Sequence, residues 1–229
     1  MIGSKLQRRS VRKDSLRIEA LVVPPLENNV FIVYEDGSDE ALVIDVAMGS
    51  SQILQRLKEL GLRASLIVNT HGHTDHTVED ENLRNATGAK LAIHELDAYR
   101  LAVSDEAAVS LGISLRPIEP DIQLADGQEL NIGQSTRLKV LHTPGHTEGS
   151  ICLYEERTRQ LFSGDTLFAN GYGRVDGMGS DPKAMIRSLK KLLELSEDTD
   201  VYPGHGRFTT IGEERPWLEE MLSTKKGRT

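Results

Sequence analysis

Three of the chain's seven histidines fall within six residues, in the run His71-Gly-His73-Thr-Asp75-His76. Alternate residues of an extended segment project to the same side, so His71 and His73 can converge on one metal ion. The chain then turns, and Asp75 and His76 can face a neighbouring point. Imidazole and carboxylate groups crowded into one turn each need a hydrogen-bonding partner or a metal ion. The run therefore predicts a metal centre, the alternative being a solvated polar loop.

Three further side chains of metal-ligand type follow predicted strands. His146 lies in a Pro-Gly turn, Asp165 follows an apolar run, and His205 lies in a Pro-Gly-His-Gly segment. Loops at strand ends, held by a rigid scaffold, are common places for functional sites. Any one of these residues alone would be a weak indication, whereas four such strand ends in one chain indicate a shared site.

Taken together, these segments resemble the metallo-β-lactamase superfamily, and within it the glyoxalase II (hydroxyacylglutathione hydrolase) branch. The resemblance spans nearly all of the chain after its basic start. It is carried by four motifs, T-H-x-H-x-D-H at 70–76, H-T-P-G-H-T at 142–147, S-G-D-T-L-F at 163–168 and Y-P-G-H-G at 202–206. The motifs are specific for the superfamily and much less specific for the substrate.

The resemblance implies two divalent metal ions and assigns their ligands. It implies that the first ion is bound by His71, His73 and His146. It implies that the second is bound by Asp75, His76 and His205, with Asp165 between the two ions. Nitrogen and oxygen ligands in this mixture suit zinc, and iron and manganese also accept them. Asp75 and Asp165 are also the two carboxylates predicted to act in catalysis.

The predicted function is metal-dependent hydrolysis of a small-molecule thioester or ester. Two ions about 3.5–4 Å apart can share a water and lower its pKa toward neutrality, which gives a hydroxide nucleophile. The alternatives are a mononuclear iron persulfide dioxygenase that uses His71, His146 and Asp165, a lactonase, and a non-enzymatic metal-binding scaffold. The dioxygenase and the hydrolase share their ligand residues, so the sequence separates them poorly.

Two residues near the third motif are candidates for substrate binding, Tyr172 and Arg174. They lie in a segment that resembles the G-R-x-D segment of glyoxalase-like hydrolases and persulfide dioxygenases. Arg174 either pairs with a substrate carboxylate or forms a salt bridge with Asp176. Asp45, at the end of an apolar strand, either orients a ligating histidine or is a plain turn residue.

The elements that must position these residues alternate between strands and helices. Strands are predicted from Leu16 to Ile44, with a hairpin turn at Asp36-Gly37. A helix from Ser51 and a buried strand over Ser65–Asn69 lead into the histidine run. The predicted order along the chain is strands, helix, strand, helices, strands, helix, strand and helix. Two strand-rich halves that each acquire helices predict an α/β fold, an αββα sandwich of two packed mixed sheets with helices on the outer faces. The superfamily's fold agrees with these layers.

Composition narrows the class of protein. With 229 residues and a net charge of −8, the chain suits one domain and is an unlikely partner for nucleic acid. No apolar run approaches the ~20 residues that cross a bilayer, so no membrane partner is predicted. Residues 1–17 are predicted as a basic, flexible leader and 18–229 as a single domain. One cysteine, Cys152, indicates a buried structural thiol and fits a cytoplasmic location. The oligomeric state is left open, a homodimer being one option.

Overall fold

The structure, a computed structural model, describes residues 8–13, 15–113 and 116–224. Within these residues the chain forms thirteen strands, six α-helices and one 3₁₀ helix. The strands are β1 Arg8–Lys13, β2 Leu16–Val23, β3 Asn28–Glu35, β4 Glu40–Ile44, β5 Arg63–Val68, β6 Lys90–His94, β7 Ile122–Leu124, β8 Glu129–Ile132, β9 Thr136–His142, β10 Ile151–Glu155, β11 Gln160–Gly164, β12 Asp200–Pro203 and β13 Thr209–Thr210. The helices are α1 Ser50–Leu60, α2 Thr74–Thr77, α3 Asp80–Thr87, the 3₁₀ helix Glu95–Ala102, α4 Glu106–Leu111, α5 Pro182–Leu192 and α6 Ile211–Thr224.

The strands form two mixed sheets. The first sheet has the order β1 to β7, antiparallel from β1 to β4 and parallel from β4 to β7. The second has the order β13-β12-β11-β10-β9-β8, with a parallel pair at β11–β12. Parallel neighbours end at the same edge of a sheet, which brings the loops after β4, β5, β11 and β12 within reach of one another.

Three apolar layers hold the sheets and helices together. The layer between the two sheets includes Phe31 from β3 and Phe162 from β11, whose rings meet edge to face at 5.2 Å. A second layer joins the outer face of the first sheet to α1, α3 and the 3₁₀ helix. A third joins the outer face of the second sheet to α5 and α6. This arrangement is the predicted αββα sandwich, and the fold prediction is confirmed.

Local sequence explains where the outer helices begin and end. The α1 helix buries Ile53 and Leu57 and stops at Gly61, whose left-handed backbone ends the helix. The α5 helix begins after Asp181, whose carboxylate accepts a hydrogen bond from the Lys183 N–H, with Pro182 in the first turn. Both helices therefore start or stop where capping residues stand in the sequence.

The predicted boundary between leader and domain is corrected by the structure. Residues 8–13 form β1, which pairs with β2 along its whole length, and Val11 packs against the layer between the sheets. The antiparallel pairing with β2 places Val11, which is partly buried, against this layer. Residues 1–7 and 14 of the predicted leader lie outside the described residues.

Helix lengths in the described part of the chain bear on the membrane question. None of these helices is both long and apolar enough to cross a bilayer.

Candidate metal centre

The predicted metal ligands lie at the edge where the two sheets meet. His71, His73, Asp75 and His76 follow β5, and the last two belong to the short helix α2. His146 follows β9, Asp165 directly follows β11, and His205 directly follows β12. The start of β3 closes the same edge, where the Asn29 N–H donates to the Gly204 carbonyl at 2.7 Å. All seven predicted residues are brought together.

The seven side chains form three overlapping groups. In each group the possible ligand atoms lie within 4.8 Å of one another. The groups are His71, His73 and His146, then His71, His76 and Asp165, then Asp75, His76 and His205. The first and third groups are the two ligand sets that the resemblance implies, and the second contains Asp165 between them.

Distances within these groups match those around a metal ion. Ligand atoms about 2.0–2.1 Å from a tetrahedral ion are ~3.3 Å apart. His73 Nδ1 lies 2.9 Å from His146 Nε2 in the first group. In the third group, His205 Nε2 lies 3.2 Å from His76 Nε2 and 3.4 Å from Asp75 Oδ2. Each group can therefore enclose one ion without large rearrangement.

Asp165 faces both groups with different oxygens. Its Oδ2 lies 3.5 Å from His146 Nε2, and its Oδ1 lies 3.5 Å from His76 Nε2. A carboxylate placed in this way can bind one ion with each oxygen.

The outward ring nitrogens of four histidines are held by other groups. His146 Nδ1 donates to the Arg174 carbonyl at 2.9 Å, and His205 Nδ1 donates to the Leu26 carbonyl at 3.1 Å. His71 Nδ1 lies 3.1 Å from Thr70 Oγ1. When Nδ1 donates outward, the neutral ring presents a lone pair on Nε2. His73 differs, because its Nδ1 is the nitrogen that faces the group.

Asp45 orients the fourth of these rings, that of His76. Its Oδ2 lies 2.8 Å from His76 Nδ1 and accepts from Thr70 Oγ1, while its Oδ1 accepts from the Thr70 N–H. Asp45 has a φ of 52°, a left-handed conformation that aspartate tolerates better than most residues. Of the two sequence interpretations of Asp45, the structure therefore shows the one in which it orients a ligand.

Burial and neighbouring charges shift the pKa values of several side chains in the centre. Burial lowers the pKa of His71, and burial together with His146 lowers the pKa of His73 to about 3. Although burial opposes it, Asp75, Asp45 and Asp165 raise the pKa of His76 to about 10. Although burial again opposes it, His76, His205 and Asn28 lower the pKa of Asp75. The Asp75 carboxylate is thus kept ionised beside the rings, which suits it to bind a cation.

Two orphaned atoms and one glycine show that the residues fit metal ions. His71 Nε2 and Asp165 Oδ1 are buried and have no hydrogen-bond partner among the described residues. Buried polar atoms of this kind are rare, and bound ions are one explanation. A Cβ at Gly204 would lie 2.5 Å from Asp165 Oδ1 and 2.8 Å from His76 Cε1. The space beside these two ligands therefore requires glycine.

Asp97 connects two of the ligand loops and was missed by sequence reasoning. Its Oδ2 accepts from the Gly72 N–H at 2.8 Å and from Thr147 Oγ1 at 2.7 Å, and its Oδ1 accepts from the Gly149 N–H at 2.7 Å. It is fully buried. Asp97 thereby joins the loop of His71 and His73 to the loop of His146. No motif marks it, because its partners lie 25 to 52 residues away.

A cavity of about 670 Å³ opens onto the centre. The ligands His73, Asp75, His146 and Asp165 line it. Its walls come from the β2–β3 connection, the 3₁₀ helix, α4 and the segment 174–178. The helix α4 and the two residues before it thus form one side of the wall.

The two predicted substrate residues lie in different surroundings. Arg174 lines the cavity, and its guanidinium forms salt bridges to Asp176 and Glu106. Tyr172 is not among the lining residues, and its ring stacks on Trp217 with centroids 6.4 Å apart.

The remaining histidines and the cysteine lie outside the metal groups. His94 and His142 stack on each other with centroids 4.2 Å apart. Cys152 is buried in the layer under α5 and α6, and burial raises its pKa to about 11. A thiol in that state is a packing group, in line with its predicted structural role.

Comparison with known proteins places this centre in a family. The family model of the metallo-beta-lactamase superfamily matches residues 23–205. Hydroxyacylglutathione hydrolase GloC of Haemophilus influenzae is 31% identical over 203 residues, which cover 87% of this chain and 95% of GloC. The solved BLEG-1 B3 metallo-beta-lactamase is 32% identical with a TM-score of 0.79, covering 88% of this chain and 99% of that one. TTHA1623, solved in a di-iron-bound form, is 34% identical with a TM-score of 0.78, covering 86% and 96%. The chain therefore belongs to the metallo-beta-lactamase superfamily, and its relatives include hydroxyacylglutathione hydrolases.

Proposed function

We propose that this hydrolase of the metallo-beta-lactamase superfamily cleaves thioesters with two metal ions, and that the ions are zinc. The observation that carries the proposal is the position of Asp165, which faces one three-ligand group with each of its oxygens. The likeness to hydroxyacylglutathione hydrolase GloC supports the thioester part.

Bound ions would supply a deprotonated water as nucleophile at neutral pH and positive charge for the carbonyl oxygen of the substrate. The chain's own contribution is to hold the ligands in place. Asp45 fixes the ring of His76, the Arg174 carbonyl fixes that of His146, and Asn28 Nδ2 donates to Asp75 Oδ2 at 3.1 Å. Such outer partners typically change metal affinity or activity 10- to 100-fold when they are removed.

The cavity walls favour a leaving group that needs no proton. Apart from the ligands, the titratable side chains that line the cavity are Arg100, Asp105, Glu106 and Arg174. Both arginines are cations in ion pairs, Glu106 pairs with Arg174, and Asp105 accepts from the Thr74 and Ala108 N–H groups. None of the four is a free acid. A thiolate leaves without protonation because thiols have a pKa near 8.5, whereas an alkoxide or amide leaving group needs a proton.

The first experiment measures metal content and thioester turnover together. The protein is purified without added metal, its metal ions are counted, and hydrolysis is measured with S-lactoylglutathione and with a neutral thioester, S-acetyl-N-acetylcysteamine. We expect close to two ions per chain and turnover of a thioester. Nitrocefin, a β-lactam, is included because BLEG-1 is a metallo-beta-lactamase. We expect it to be a poorer substrate than the thioesters.

Two variants and one control connect turnover to the centre. His146→Ala removes a ligand of the first group and His205→Ala one of the third, so each should reduce the metal content toward one ion and lower turnover at least 100-fold. His142→Gln, outside both groups, should keep both ions and most activity. One iron per chain, no thioester turnover and oxygen consumption with glutathione persulfide would instead show a dioxygenase.

A further inference from the structure

One part of the cavity wall is apolar and exposed to solvent, in contrast to the charged metal centre. Leu26 is 44% exposed, Met178 is 57% exposed and Val109 is 76% exposed, and all three line the cavity. They come from three separate segments, the β2–β3 connection, the segment 174–178 and α4. Large apolar side chains gathered in this way beside a functional site are typical of a surface that a ligand covers.

Both cationic side chains that line the cavity already have carboxylate partners. Arg174 Nε donates to Asp176 Oδ1 and its Nη1 donates to Glu106 Oε2, each at 2.7 Å. Arg100 is 3% exposed, contacts Asp97 at 3.3 Å, and donates from Nη2 to Glu148. A substrate carboxylate would compete with these partners.

The other charged side chains that line the cavity, away from the metal centre, are acidic. Asp105 and Glu106 line it at the start of α4, and Asp176 and Glu148 stand behind the two arginines. A thiol that carries carboxylates, as glutathione carries two, would meet repulsion here and find no unpaired cation among the described lining residues.

We propose that the cavity selects thioesters whose thiol part is apolar and uncharged, and that Glu106 and Asp176 exclude carboxylate-bearing thiols by occupying Arg174. The inference rests on the proposed function and narrows its substrate class. Leu26, Val109 and Met178 contact the apolar part of the substrate. Glu106 acts as a tethered competitor, since a carboxylate on the same chain has an effective concentration that a free ligand seldom exceeds.

Binding without turnover tests this directly. Two thioethers share a hexyl group and differ in charge, S-hexyl-N-acetylcysteamine, which is neutral, and S-hexylglutathione. Their dissociation constants are measured by calorimetry on the zinc-loaded protein. We expect the neutral thioether to bind at least fivefold more tightly, and its affinity to rise roughly 2- to 4-fold with each methylene added to the alkyl chain.

Variants of the salt bridge supply the second measurement. Glu106→Gln combined with Asp176→Asn frees Arg174 and should tighten S-hexylglutathione roughly 2- to 5-fold, the range expected for exposed ion pairs. The neutral thioether should change less than twofold. Val109→Ser should weaken both thioethers by a similar factor, because they share the hexyl group, and should leave the ratio of their affinities nearly unchanged. Glu129→Gln, on the exposed face of β8, is the matched control for loss of a carboxylate and should alter neither.

The outcomes separate this inference from the proposed function. Equal or tighter binding of S-hexylglutathione to the unmodified protein, or no change in the affinity ratio on freeing Arg174, overturns the inference. Selective binding of the neutral thioether by a protein that hydrolyses no thioester supports the cavity's preference and refutes the thioester hydrolase. Turnover of S-lactoylglutathione that is faster than turnover of S-acetyl-N-acetylcysteamine supports the thioester hydrolase and refutes the cavity's preference for uncharged thiols.

Discussion

Replacing Asp97 with asparagine should lower the affinity for the first ion, at His71, His73 and His146, more than the affinity for the second ion, at Asp75, His76 and His205. The carboxylate joins the Gly72 and Thr147 loops through Oδ2, while Oδ1 accepts from the Gly149 N–H and contacts Arg100. Asparagine keeps one oxygen and places an NH₂ where the other stood. Whichever way the amide turns, at least one backbone N–H then faces a donor.

The cost follows from burial, because Asp97 and Arg100 are almost completely enclosed. One unsatisfied buried N–H costs about 1–3 kcal/mol. Breaking a buried ion pair costs about 3–5 kcal/mol, and the lower end applies here because Arg100 keeps Glu148. A total of about 4–6 kcal/mol is expected, which lowers the Tm by roughly 8–24 °C for a chain of this size.

Metal affinity is the sharper readout. Asp97 contacts Gly72, between His71 and His73, and Thr147, next to His146. We expect the first ion to bind 10- to 100-fold more weakly, as is usual when an outer partner of a ligand is lost, and the second ion to change much less. Chelator competition monitored for each ion measures both constants. Asp198→Asn, a change at an exposed surface ion pair, is the control and should leave the Tm and both constants unchanged. Wild-type affinity for both ions in Asp97→Asn protein would refute the reasoning.

Two further predictions concern pH and metal removal. Hydrogen bonds from the Ser135 side chain and backbone lower the pKa of Glu35 from 4.5 to about 2, so its stabilising contribution is present above about pH 4.5 and is lost as the pH falls toward 2. The difference in Tm between the wild type and Glu35→Gln should therefore be largest near neutrality and shrink below about pH 4.5, and a difference that is constant with pH would contradict this role. Removing both ions with a chelator should lower the Tm by roughly 16–33 °C when each ion is present at about 1,000 times its Kd, measured by calorimetry with and without added zinc. An unchanged Tm would mean that the two groups bind no ions in the folded protein.

The metal ligands could be predicted because they obey local rules. Each follows a strand, and the ends of strands are set by apolar runs and by Gly and Pro residues that are visible in the sequence. His205, for example, lies directly after β12 in a Pro-Gly-His-Gly segment. The order of strands and helices was also readable, and it was enough to give the αββα layers.

The roles of Asp97 and Arg174 could not be predicted from the sequence, because they depend on contacts between distant segments. Asp97 looks like an ordinary polar residue of a helical turn, and its role arises only when two loops meet around it. Arg174 could not be assigned, because Glu106 lies 68 residues earlier in the chain. The edge strand β1 lies within the predicted leader, because four of its six residues are basic. The packing of Val11 against the layer between the sheets is not visible in such a sequence.

Arg174 contacts both a candidate metal ligand and the wall of the cavity. Its carbonyl holds the ring of His146, and its guanidinium closes part of the cavity wall against Glu106. A ligand that shifts this residue on entering the cavity changes the affinity of the first ion, and thermodynamic reciprocity requires the ion to change that ligand's affinity by the same factor. A tenfold effect in one direction, about 1.4 kcal/mol, is a tenfold effect in the other. With both ions bound, the metal load of the protein and its affinity for such a ligand would be coupled through Arg174.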